Sequence, residues 1–402
     1  MSSNSSTPFN WLILLLASIT AVTPLAIDMY LPAFPAIAVS MDTDIALVQV
    51  SLSSYLAGFA LSMLIFGPVA DIVGRRPLAL WGLAGFMLVS VALCFVKDMT
   101  WFWILRTLQA MAGGAAAVVV PGIVRHLYGE HTAKGMSYVS LIMMIAPLLA
   151  PSLGSLVMHW FDWWAIFAAL AIYALLLWLP AFHWLPEIAT RERSGSWFRL
   201  FFASYVEVLG NRTAQPFIAI SMFASFAFFG YLTAVPVVYM EHFGVSEKLF
   251  GLLFAANVLS LMAGNLLNSR VVVRLGSRRM LHLSLLVGLV AAGSLLLVNL
   301  MELGLYATLL CIMPLMASLG LMAVNADALI LIAFPHHSGT ATAVIGTLRF
   351  GSGALVGPIL AASHSGTAVP FASLMFVAVL AIGVTQLINP IGSSSQRGYE
   401  KT

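Results

Sequence analysis

Apolar runs of about twenty residues follow one another along the whole chain, and nothing else constrains its fold as tightly. A run of that length crosses a bilayer as a helix. Hydrocarbon offers no partner to a backbone N–H or C=O, so each crossing segment must satisfy its own hydrogen bonds. Composition agrees. Of 402 residues, 61% are hydrophobic and 8% charged, against about 25% charged in ordinary soluble domains. The strand alternation of a β-barrel is absent, so the spans are helical. The lipid bilayer is therefore the first partner, and a net charge of +3 gives no reason to expect nucleic acid. Cys94 and Cys311 sit alone in apolar runs and read as small core residues. The start, "MSSNSSTPFN", has neither a charged n-region nor a small-residue cleavage site, so the first run reads as a retained span.

Spans are expected at about 9–38, 46–69, 78–96, 101–124, 135–158 and 163–184, and again at about 216–239, 249–269, 280–299, 303–332, 340–363 and 370–390. The longest and most charged connection lies between the two sets, which divides the chain into 1–185, a cytoplasmic linker 186–214 and 215–402. Within the linker, "WFRLFFASYVEVL" has the pattern of a short interfacial helix. The halves echo each other. "GPVADIVGRRPL" follows the second span and "NSRVVVRLGSRRML" follows the eighth, both short basic loops at the same place in a half. Repeated halves are a common way to build a midplane site with alternating access.

Charge placement gives the orientation. With the N-terminus inside, cytoplasmic segments hold fourteen Lys and Arg, from Arg75 and Arg76 to Arg397 and Lys401, and the opposite loops hold only Lys97 and Lys248. That asymmetry puts both termini in the cytoplasm. Two cations remain, Arg106 and Arg349, and two acids fall well inside spans, Asp28 and Asp327. A charge at the bilayer centre costs about 2.5–3.5 kcal/mol on insertion scales, and such residues mark pathways or pair with each other. By depth along the helices, Asp28 belongs with Arg106 in the outer half and Asp327 with Arg349 in the inner half. A packing role and a functional role both fit each pair. Burying an ion pair rarely gains stability over an apolar pair, which favours function for the outer one. Desolvation and a nearby cation act oppositely on a carboxylate. A cavity that alternates between wet and closed can swing them, so Asp28 is the expected proton carrier.

These residues carry a likeness. "GPVADIVGRRPL", "ILRTLQAMAGGAAA", "DMYLP" and "APLLAPSLGS" together resemble the major facilitator superfamily. Within it, the chain is most similar to the drug:proton antiporters of the bicyclomycin and chloramphenicol resistance (Bcr/CflA) branch. The resemblance implies an all-α integral membrane protein of the major facilitator fold, with 12 transmembrane helices in two pseudo-symmetric six-helix bundles. It implies a conformational latch of Gly67, Asp71, Gly74, Arg75 and Arg76, with Asp71 facing the N-terminal end of span eleven. It makes Arg106 the cationic partner in proton relay, with Gln109 one turn on. Pro147, Pro151 and Gly154 match the span-five antiporter motif, although Ala150 and Ser155 stand where the motif has glycines. Small residues and prolines there also simply permit close, kinked packing.

A promiscuous pocket is apolar and aromatic with few polar groups. The candidate substrate-binding residues are Tyr30, Tyr55, Gln109, Met143, Met144, Phe226, Tyr231, Asn257, Asn325, Asp327 and Arg349. Asn325 beside Asp327 would suit a polar ligand. None of the histidines, including His126, His131, His336 and His337, has metal-ligand spacing, so no metal is expected. There is no Walker loop, dinucleotide fingerprint or nucleophile elbow, so neither an enzyme nor an ATP-driven pump is expected. No cofactor is needed beyond a proton gradient. The reading is a monomeric multi-pass protein of the bacterial inner membrane that exports small amphipathic drugs in exchange for protons. A narrow exporter of a nucleoside or amino acid, and a membrane sensor that moves nothing, stay open.

Overall fold

The computed structural model describes residues 11–188, 205–334 and 338–388. Every long element is a helix, and no strand occurs among the described residues. Eleven of the helices are long and apolar enough to cross a membrane. One of these, α10 (Glu247–Leu300), runs for 54 residues. At 1.5 Å per residue it would be about 80 Å long, more than twice the thickness of hydrocarbon. It is broken at Gly276, whose φ of 76° and ψ of 154° are not helical. Two crossings therefore share that element, and the twelve expected spans are accounted for.

Prolines set the other breaks. The first span is α1 (Trp11–Asp28), a 3-10 turn (Leu31–Ala33) and α2 (Phe34–Ser40). A proline cannot donate to the carbonyl four residues back and clashes with it. Pro32 thus frees the carbonyl of Asp28, where α1 ends. The same offset relates Pro121 to Ala117, one residue before α5 (Met99–Val118) ends and gives way to α6 (Val120–Tyr128). It also relates Pro358 to the end of α12 (Ser338–Ala354), before α13 (Val356–Ala362). Pro147 and Pro151 leave α7 (Thr132–Trp160) continuous. The remaining helices are α3 (Ile45–Val73), α4 (Arg75–Leu93), α8 (Trp164–Trp184), α9 (Gln215–Pro236), α11 (Leu305–Ala333) and α14 (Val369–Ile388). Caps fall where short acids precede apolar runs. Asp44 Oδ1 accepts from Ala46 N at 2.8 Å and Asp98 Oδ1 from Trp101 N at 3.1 Å.

Two compact units are present, Met1–Trp197 with Glu247–Ala255, and Phe198–Ser246 with Ala256–Thr402. Inside the first, α1 packs on α5, α7 and α8. Inside the second, α9 packs on α11, α12 and α14. Counted as spans, the first of each half touches the fourth, fifth and sixth of that half, so the units repeat one packing scheme. The basic loops repeat as well. Gly74, between α3 and α4, has φ 100° and ψ 151°, matching Gly276. This region is open essentially to glycine alone. Of the linker, residues 205–210 are helical. Tyr205 OH and Thr347 Oγ1 are 3.1 Å apart. Trp197 to Ser204, most of the expected interfacial helix, lies outside the described residues, as do His336 and His337.

Candidate functional site

Arg106 organises the first unit. It lies on α5, is 0% exposed, and places its guanidinium 4.1 Å from the ring centre of Tyr30, 4.4 Å from Tyr55 and 5.7 Å from Phe167. Aromatic faces attract a desolvated cation by about 2 kcal/mol. The edges of the guanidinium find oxygen. Nη1 donates to Gln109 Oε1 at 2.6 Å and Nη2 to the Ala26 carbonyl at 2.9 Å. Gln109 Nε2 in turn donates to Ser90 Oγ at 2.8 Å, and Ser90 Oγ to the Phe86 carbonyl at 2.7 Å. Tyr30 is fixed from its other end, its OH 3.3 Å from Ser51 Oγ. Arg106 and Gln109 are three apart on one helix and share a face, which is why they meet.

Asp28 lies two residues beyond the carbonyl that Arg106 grips, and it is 2% exposed. The direct Asp28–Arg106 ion pair expected from depth is not formed. Among the described residues no cation lies within ion-pair distance of Asp28, and its Oδ1 has no hydrogen-bond partner. The reason is geometric. The proline break turns the chain at Asp28, and Arg106 is spent on a backbone carbonyl, an amide and three rings. Arg106 Nε is also buried without a hydrogen-bond partner, and Thr23 Oγ1 and Tyr55 OH have at most each other. A carboxyl group with spare hydrogen-bonding capacity beside other unsatisfied polar atoms is costly to maintain and suited to exchanging a proton.

The second unit holds two polar clusters. Asp327 and Arg349 do pair, Nη1 to Oδ2 at 2.7 Å, joining α11 to α12. Ser221 Oγ donates to Asp327 Oδ1 and Arg349 Nε to Ser225 Oγ, each at 2.7 Å. The two serines had escaped the sequence reading, though their spacing of four on α9 puts them on one face. In the other cluster, Asn257 Nδ2 donates to Tyr231 OH at 3.0 Å and to Tyr239 OH at 2.9 Å. Tyr239 belongs to a π-helical turn, Val237–His242, that continues α9; such turns recur at functional sites. Asn325 does not join Asp327. It donates to Asn268 Oδ1 and to the Leu321 carbonyl, both at 2.8 Å. Residues two apart on a helix point to different sides, so Asn325 and Asp327 belong to different hydrogen-bond clusters. Phe226 and Met143 are half-buried and Met144 is exposed.

The Major Facilitator Superfamily model matches residues 16–358. The chain belongs to the major facilitator superfamily. A bicyclomycin resistance protein homolog of Haemophilus influenzae is 30% identical over 370 residues, covering 92% of this chain and 93% of the relative. A chloramphenicol resistance protein of Pseudomonas aeruginosa is 31% identical over 368 residues, covering 88% and 85%. Among solved structures, a peptide transporter in complex with sulfate superimposes with a TM-score of 0.75 at 13% identity, covering 96% of each chain. The xylose transporter XylE from E. coli, in a partially occluded inward-open form, gives 0.73 at 15% identity, covering 94% and 97%. These two show the fold. The superfamily loop motif then has a local geometry in this chain. Gly74 makes the turn, and Arg75 Nη1 donates to the Gly122 carbonyl on α6 at 3.0 Å. Arg76 pairs with Glu187 and donates to the Phe182 carbonyl at 2.7 Å. Gly67 is helical with open space around it. The Asp71 side chain lies outside what the structure describes. In the span-five motif, Pro151 and Gly154 are buried and Pro147 half-buried. A Cβ on Gly154 would run into the Met29 carbonyl. That glycine lets α7 close on the backbone next to Asp28.

Proposed function

We propose that this superfamily transporter is a proton-coupled antiporter. It exports small amphipathic compounds, chloramphenicol- and bicyclomycin-like drugs among them, by alternating access, and Asp28 carries the proton. The observation that carries the reading is Asp28 itself: a 2%-exposed carboxyl without an ion-pair partner, at a proline break, two residues from the backbone carbonyl that buried Arg106 grips. A group used only for packing would be held by its neighbours; one that must load and release a proton keeps a free oxygen. The resistance names of the relatives support the substrate class. The cation asymmetry supports a bacterial inner-membrane protein with both termini cytoplasmic, working as a monomer on the proton gradient without a cofactor.

The test is substrate binding and efflux in proteoliposomes at several pH values. If proton and drug compete through Asp28, drug binding weakens as pH falls, and Asp28→Asn flattens that dependence and abolishes gradient-driven efflux. Undiminished coupled efflux by Asp28→Asn would sink the assignment. A second reading, export of one polar metabolite such as a nucleoside or amino acid, is favoured by the Asp327–Arg349 and Asn257 clusters. Thermal stabilisation by a panel of drugs and metabolites separates the two: breadth supports the first, one strong metabolite the second.

A further inference from the structure

The charged cluster of the second unit has no part in the proposed coupling, and one nitrogen of its guanidinium meets no protein acceptor among the described residues. Asp327 and Arg349 lie on helices that cross the membrane, yet their side chains are 31% and 33% exposed. Charges with that much open surface are too costly to turn toward hydrocarbon, so the open side faces a water-accessible recess. Each Asp327 oxygen already holds one donor. Asp327 Oδ1 takes Ser221 and Oδ2 takes Arg349 Nη1. Ser225 Oγ accepts from Arg349 Nε and gives its own proton to the Ser221 carbonyl at 2.8 Å. Donors are left over. A guanidinium carries five N–H groups, and among the described residues no acceptor meets Nη2 of Arg349. An aromatic pair lies one turn along α9 from Ser225: the ring of Phe229 is 5.2 Å from that of Phe350 on α12.

We propose that Arg349 is a substrate-binding residue that takes the carboxylate of an amphipathic acid through Nη2, with the apolar body of the acid along Phe350. Asp327, Ser221 and Ser225 are the frame that fixes the guanidinium plane. Asp327 also offsets the positive charge, so recognition depends on hydrogen-bond geometry as well as on charge. This deepens the export function and rests on it for the word substrate; the binding itself does not depend on proton coupling.

The purified full-length protein in nanodiscs is titrated calorimetrically with phenylbutyrate, phenylbutanamide and phenylbutylammonium, which share one apolar body. The carboxylate is expected to bind at least about tenfold tighter than the amide, the scale of a charge-assisted hydrogen bond. Arg349→Gln erases that preference. Because Arg349→Gln leaves Asp327 without its partner, the neutral double variant Asp327→Asn/Arg349→Gln is measured beside it and behaves alike. Equal binding of acid and amide, strongest binding of the amine, preference retained in both variants, or no detectable heat with any probe each overturns the proposal. Gradient-driven drug efflux is read separately. Its absence with the acid preference intact counts against the export function and not the site, and intact efflux with no preference counts against the site alone.

Discussion

Arg106 is held by shape as much as by charge. Its planar guanidinium meets the Gln109 amide and the Ala26 carbonyl at two different edges while lying against Tyr30 and Tyr55. A lysine keeps the charge but concentrates its donors on one atom and stacks less well. Arg106→Lys is therefore expected to lose about 2–4 kcal/mol, seen as a lower melting temperature of the detergent-purified protein, and more than about tenfold in efflux. Tyr55→Phe keeps the ring that lies against the guanidinium and removes a hydroxyl that has at most the Thr23 hydroxyl as a partner, so it should stay within about 1 kcal/mol of the wild type. Equal melting shifts for the two variants would overturn this account of the cluster. The four intramembrane charges were legible in the sequence, because their cost singles them out. Their depths were legible too, from the rise per residue. Their direction around the helix was not. Depth joined Asp327 to Arg349 correctly and Asp28 to Arg106 incorrectly, because it cannot see that a backbone carbonyl competes for the arginine. The separation of Asn325 from Asp327 could have been read, since two residues turn a helix by about 200°.

At the scale of elements, proline and glycine decide where helices stop. Gly74 and Gly276 occupy the same left-handed, extended backbone region in the two halves. A side chain there is strained by about 1–3 kcal/mol. Gly67, in the same loop motif, is different: it is helical, and a Cβ would meet nothing within 4 Å. Alanine at an open helical site gains up to about 1 kcal/mol. Thermal melting should thus order the variants Gly67→Ala at or above wild type, and Gly74→Ala and Gly276→Ala both clearly below it. If Gly276→Ala melts like wild type, the break in α10 does not depend on the glycine conformation. The sequence showed the two loops as a basic repeat, and their composition alone suggested topology. The matched dihedrals add that the repeat extends to the backbone, a property no pattern of charges can carry.

At the scale of the whole molecule, charge and hydropathy made the membrane class and the twelve crossings readable before any coordinates. Long apolar runs leave a chain few alternatives. The proposed orientation rests on the same charges and has its own test. Lys97, in the loop before α5, and Arg274, two residues before the Gly276 break of α10, are both exposed, and the charge asymmetry assigns them to opposite sides. In a background with Cys94 and Cys311 replaced by serine, Lys97→Cys in intact cells should react with a membrane-impermeant maleimide, and Arg274→Cys only after the cells are opened. The inverse pattern would turn the protein over and place Asp28 in the inner half. Asp28 and Arg106 would still share a depth, since both would move together, but the proton would enter from the wrong side for export driven by an inward gradient. The labelling pattern therefore bears on the coupling as well as on the topology. A protein inserted with its basic loops outside could keep every contact around Arg106 and still not work as an exporter of the kind proposed.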